Sequence, residues 1–187
     1  LILTTLVPAL LGVPVPFAPI QIIPMELFMD LAAAVTFVFE PGETDLMHRP
    51  PRDPRTPFLD RGMVTSILVS GLGLFLAVII AYLVTWYADH NLVKAQTMAF
   101  VTWLLGHVFL ALNLRSQRKP LSQLGLFTNR LMNIWGVAVV IFVVLITTVP
   151  AAQLLAKTIT LDGREWMFAV GVALAGTFWQ EVWKWRS

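Results

Sequence analysis

Residues 62–88 read GMVTSILVSGLGLFLAVIIAYLVTWYA, 27 positions without one charged side chain. A helix of about 20 apolar residues spans the hydrocarbon core of a bilayer. Lipid offers a backbone no hydrogen bonds, so only helices and closed barrels can cross it. Barrel strands alternate apolar and polar residues over short segments, whereas the apolar runs here are long and unbroken. The chain is therefore expected to be all-α, a polytopic transmembrane helix bundle. Hydrophobic residues make up 57% of it and charged ones 13%, with a mean hydropathy of +0.75, which no water-soluble domain of 187 residues matches. Cysteine is absent, which excludes disulfides and thiolate metal sites. A net charge of +2 is too small to suggest a nucleic-acid partner; the lipid bilayer is the expected one.

Read in order, residues 1–13 are apolar but too short to cross, and are expected to be a truncated N-terminal helix. The chain starts at Leu1 without Met, which reads as a cut inside a longer protein. Pro14, Pro16 and Pro19 predict a stiff turn. Five crossings are then expected over about 20–39, 62–88, 97–114, 131–149 and 166–183, all in a single membrane domain spanning 1–187. Ser70, Gly71 and Gly73 would let another helix approach closely. Of the tryptophans Trp86, Trp103, Trp135, Trp166, Trp179, Trp183 and Trp185, most lie near predicted membrane boundaries, and an interfacial belt is expected. Loops 40–61 and 115–130 together with the tail hold ten basic residues against three on the opposite side, which makes those loops and the C-terminus cytoplasmic. The protein is thus expected to be multi-pass, in a plasma (inner) membrane.

The segment 20–39 is unusual because it carries Glu26 and Asp30. Each acid near a helix centre costs about 2.5 to 3.5 kcal/mol, and each Leu, Ile, Phe or Val returns about 0.3 to 0.6. The ten such apolar residues between Ile20 and Phe39 barely match the two acids. In a helix the acids share a face one turn apart, and Pro24 predicts an irregularity just ahead of Glu26. They are tolerable where neighbouring helices shield them or a cation lies between them, so they are candidate cation ligands. The plainer alternative is that both bond polar groups within the bundle. His107, alone inside a crossing, is open to three readings: ion ligand, proton acceptor or hydrogen-bonded packing residue.

These residues resemble the calcium-pump type of cation-transporting P-type ATPase, in the membrane region from late in the fifth helix through the tenth. Pro19, Gln21, Glu26 and Asp30 match the P-x-Q and paired polar positions of that family's sixth helix. Asp45, Leu46, Met47, His48, Arg49, Pro50, Pro51 and Arg52 match its D-I-M-x-R-P-P-R loop. Ala111, Leu112 and Asn113, then Gln180, Glu181 and Lys184, extend the match. The resemblance implies that the loop bearing Asp45, Arg49 and Arg52 touches the phosphorylation domain of an intact pump. Anionic lipid beside these basic residues is the other explanation for the loop. Four sixth-helix sites that usually read Asn, Thr, Asp and Gly read Glu26, Met29, Asp30 and Leu31, and His107 replaces an acid of the eighth helix. The fifth-helix acid would fall near Leu1. Ion identity therefore does not carry over.

The function implied is the C-terminal ion-translocation part of an ATP-driven pump, for a divalent, calcium-like cation. No Walker-type loop and no D-K-T-G motif occurs, so this chain alone is expected not to be an enzyme and to hold no cofactor. ATP and magnesium would belong to upstream domains of the same pump, its expected partners. The alternatives are an orphan scaffold or regulatory membrane module, and a proton or monovalent-cation pump that uses Glu26, Asp30 and His107 as a relay.

Overall fold

Helix boundaries are set by capping side chains and prolines. Asn91 accepts from Lys94 N at 3.1 Å, and Asn129 accepts from Met132 N at 2.9 Å. Asp162 accepts from Arg164 N and Glu165 N at 2.8 Å while Glu165 answers on Asp162 N at 2.7 Å, a capping box. Pro19 and Pro150 occupy first-turn positions, where no donor is needed.

The computed structural model describes residues 1–41, 61–116, 121–125, 127–179 and 181, with backbone alone at 29–31, 122 and 124. Its helices are α1 (Ile2–Leu10), α2 (Pro19–Glu26), α3 (Ala34–Val38), α4 (Arg61–Asp89), α5 (Leu92–Asn113), α6 (Leu121–Leu124), α7 (Arg130–Thr148), α8 (Pro150–Ala156) and α9 (Gly163–Thr177). A π-helix, Leu27–Ala33, joins α2 to α3. All regular structure among the described residues is helical.

The core is organised around α5. Fifteen of its 22 residues are buried, and α4, α7 and α9 pack against it. Only His90 and Asn91 separate α4 from α5, and His90 takes a left-handed φ of 49° to close the link. The crossing of α4 and α9 closes on two glycines. A methyl group at Gly73 would lie 2.1 Å from the Gly176 carbonyl oxygen, and one at Gly176 would lie 2.6 Å from that of Gly73. Gly71, expected to share this role, faces open space instead.

Outward faces carry apolar side chains, among them Ile80 and Val84 on α4 and Ile134, Val137 and Ile141 on α7. Surfaces of this kind suit hydrocarbon and not water. Three helices, α4, α5 and α7, are each long and apolar enough to cross a membrane. The expected 20–39 crossing is helical from residue 19 to 38 but divided into α, π and α pieces, and α9 has 15 residues. Five full crossings are therefore not what these helices establish. Helix α5 begins at Leu92, five residues ahead of the expected 97, because Asn91 caps it.

Two tryptophans depart from the expected belt. Trp103 and Trp135 are buried in the bundle, while Trp86 and Trp166 are half-buried and Trp179 is exposed. Trp183 and Trp185 lie outside the described residues.

Overpacking a tight crossing costs typically about 1–3 kcal/mol. Gly73→Ala is expected to destabilise the protein by that order, read as a lower thermal midpoint in detergent, whereas Gly71→Ala, with no atom near, should not lower it.

Candidate ion site

The turn before α2 is held from outside. Tyr82 of α4 donates its hydroxyl to the Pro14 carbonyl, and Gln96 of α5 donates to the Val15 carbonyl at 3.0 Å. Gln21, wholly buried, accepts from Ala18 N at 3.0 Å and donates to the carbonyls of Ala156 and Lys157 at 3.1 and 3.3 Å. The P-x-Q glutamine thus stitches the start of α2 to the end of α8, so the helix carrying Glu26 enters the bundle at a fixed place.

The irregularity does not fall at Pro24, which sits inside regular α2. It falls one residue after Glu26, where the π-helix begins. A π-helix carries an extra residue per turn and often marks a functional position. Trp135 of α7 donates its indole N–H to the Phe28 carbonyl at 2.9 Å, inside this segment. The backbone of Asp30 lies in the π-helix, and its side chain is outside what the structure describes.

Glu26 and His107 come together on one open-sided cavity of about 780 Å³, with walls from α1, α2, α4 and α5. Met25, Trp103 and Thr4 line it as well. Glu26 is exposed on this wall. His107 is half-buried. Its Nδ1 lies 2.9 Å from the Trp103 carbonyl, and its ring lies 3.8 Å, centroid to centroid, from the indole of Trp103. When neutral, this imidazole donates through Nδ1 and carries its lone pair on Nε2. No group of three or more His, Asp or Glu side chains that could hold a metal occurs among the described residues.

A second polar centre went unnoticed in the sequence. Arg115, just past α5, has a side chain only 1% exposed. Its Nε and Nη2 donate to Glu40 Oε1 at 2.9 and 2.7 Å, Nη1 to the Gly125 carbonyl at 2.9 Å, and Nη2 also to Thr128 Oγ1. Asn129 donates to Glu40 Oε2 at 2.6 Å and to the Thr36 carbonyl at 2.9 Å. In the sequence Arg115 was one more positive-inside residue and Glu40 the first residue of a polar loop. The available signal was a carboxylate two positions beyond an apolar helix. Asp45, Arg49 and Arg52 lie outside the described residues, as do Gln180 and Lys184. Asn113 donates to the Thr177 carbonyl at 2.9 Å, and Glu181 accepts from Leu121 N at 2.8 Å.

Helices α4, α5 and α7, each long and apolar enough to cross a membrane, define a class, the polytopic helical membrane proteins. Residues 14–186 match the family described as Cation transporting ATPase, C-terminus, and the chain belongs to it. It is 28% identical to a calcium-transporting ATPase of Bacillus subtilis over 95% of its length and 20% of that protein's. It is 32% identical to the Probable cation-transporting ATPase F of Mycobacterium tuberculosis over 87% of its length and 18% of the relative's. A human calcium-transporting ATPase, type 2C member 1, is 25% identical over 87% of the chain and 18% of its own length. The chain spans about a fifth of the length of these relatives.

Losing the donor to a buried carbonyl costs about 1–3 kcal/mol. Trp135→Phe is expected to destabilise the protein by that order and to speed amide exchange in the π segment, as read by hydrogen–deuterium exchange.

Proposed function

We propose that the chain is the ion-translocating C-terminal part of an ATP-driven pump for a divalent, calcium-like cation. Glu26 and Asp30 supply carboxylate oxygens, and His107 forms the facing wall of the path. The observation that carries this reading is a single one. Glu26 and His107, from separate helices, line the same cavity in a member of the cation-transporting ATPase family. Calcium takes six to eight oxygen ligands at about 2.3–2.6 Å. The remaining ligands come from backbone carbonyls, water and the rest of the pump. The π segment beside Glu26 fits that demand, since irregular membrane helices in transporters turn carbonyls toward ions.

The pump reading gives the chain five crossings, a cytoplasmic C-terminus and a place in the plasma (inner) membrane. Asp45, Arg49 and Arg52 couple it to the upstream phosphorylation domain, which uses ATP and magnesium. Two acids one turn apart repel when the ion leaves, which favours protonation of one of them and hence proton countertransport.

In the full-length pump, Glu26→Gln and Asp30→Asn are each expected to weaken cation binding and cation-stimulated ATP hydrolysis at least tenfold. Direct binding of labelled calcium and an ATPase assay check this; wild-type behaviour in both variants would sink the reading. Reversing charge at Arg49 and Arg52 should uncouple hydrolysis from transport, and transport that ignores internal pH would count against countertransport.

A further inference from the structure

We propose that Glu40 and Arg115 form a positioning pair that fixes the two cavity helices relative to one another at one end, and so sets cation affinity. This rests on the pump reading. Glu40 lies two residues past the helical run that starts at Pro19 and carries Glu26. Arg115 lies two residues past α5, which carries His107. Six residues of helix, about 9 Å at the usual rise of 1.5 Å per residue, separate His107 from the end of α5 at Asn113, two residues short of Arg115. The two residues that line the cavity from opposite helices are thus cross-linked beyond it by one buried ion pair, with Arg115 Nη2 2.7 Å from Glu40 Oε1.

The pair is braced by a third element. Asn129, the N-cap of α7, holds both Glu40 and the Thr36 carbonyl, and Trp135, further along α7, holds the Phe28 carbonyl. Helix α7 therefore grips the Glu26 helix near the start of the π segment, at Phe28, and again beyond its end, at Thr36 and Glu40. The deformable stretch, Leu27–Ala33, lies almost wholly between these grips. A buried ion pair is a poor device for stability alone, because desolvating both charges offsets most of their attraction. What it supplies is a fixed geometry, with two guanidinium nitrogens converging on Glu40 Oε1 and Asn129 holding Oε2. With the pair intact, the helices that carry the two cavity residues pivot about a defined point; without it, their spacing at the cavity is loose.

The test uses the full-length pump carrying Glu40→Gln, Arg115→Gln, both together, or Arg115→Lys. The readouts are KM for the cation, kcat per folded protein and direct calcium binding. A purely structural role would reduce the folded fraction and leave KM alone. A positioning role raises KM and weakens calcium binding at least fivefold in Arg115→Gln and at least threefold in Glu40→Gln, with kcat within twofold. It also leaves the double variant no worse than the worse single, and Arg115→Lys between it and wild type. Unchanged KM and binding in the singles overturns the proposal. Glu40→Gln keeps the side-chain shape and carries the test if Arg115→Gln does not fold. Wild-type protein that neither binds nor responds to a cation removes the pump reading itself, whereas normal wild-type behaviour with indifferent variants removes this inference alone.

Discussion

Backbone polarity in hydrocarbon governs this molecule. An unpaired carbonyl or amide costs several kcal/mol where no water can reach it. Regular helices meet that demand internally, so every departure from regularity needs a donor from elsewhere. Four such donors sit at the departures. Tyr82 and Gln96 serve the proline turn, Gln21 serves the end of α8, and Trp135 serves the π segment. Each comes from a different element from the one it serves, so satisfying the backbone also fixes how the helices pack.

Charge follows the same logic. Arg115 is tolerated with its side chain almost wholly buried because Glu40, Gly125 and Thr128 meet its nitrogens. Lys94, at the start of α5, is shared between Asp89 at 2.7 Å and Glu165, which ties α4, α5 and α9 together at the opposite end of α5. Polar networks thus sit at helix ends, and the middle of the bundle is closed by apolar packing and by the Gly73–Gly176 approach. Glu26 lies away from these ends, exposed on a cavity wall in a segment that also carries Asp30.

Much of the fold was legible because a 27-residue uncharged run has few physical outcomes. Gln21 is instructive in another way. The resemblance placed it in a motif, yet its task became visible only when Ala156 and Lys157 were found beside it. Trp103 and Trp135 belong to the expected interfacial belt by residue type, but packing overrules that, since both are buried among neighbouring helices. The Glu40–Arg115 pair joins residues that are distant in sequence, and charge counting treats both as solvated loop residues.

The sequence by itself determined the membrane setting, the helical class, the family and the presence of two acids in a largely apolar stretch. These are properties of composition and local order, which hydropathy and motif spacing express directly. Only the tertiary structure decided that the helix breaks into a π turn after Glu26, that Glu26 and His107 share one cavity, and that Arg115 is buried against Glu40. The physical reason is that each of these depends on which donor or partner another helix brings near, and a chain's local pattern carries no distance between helices.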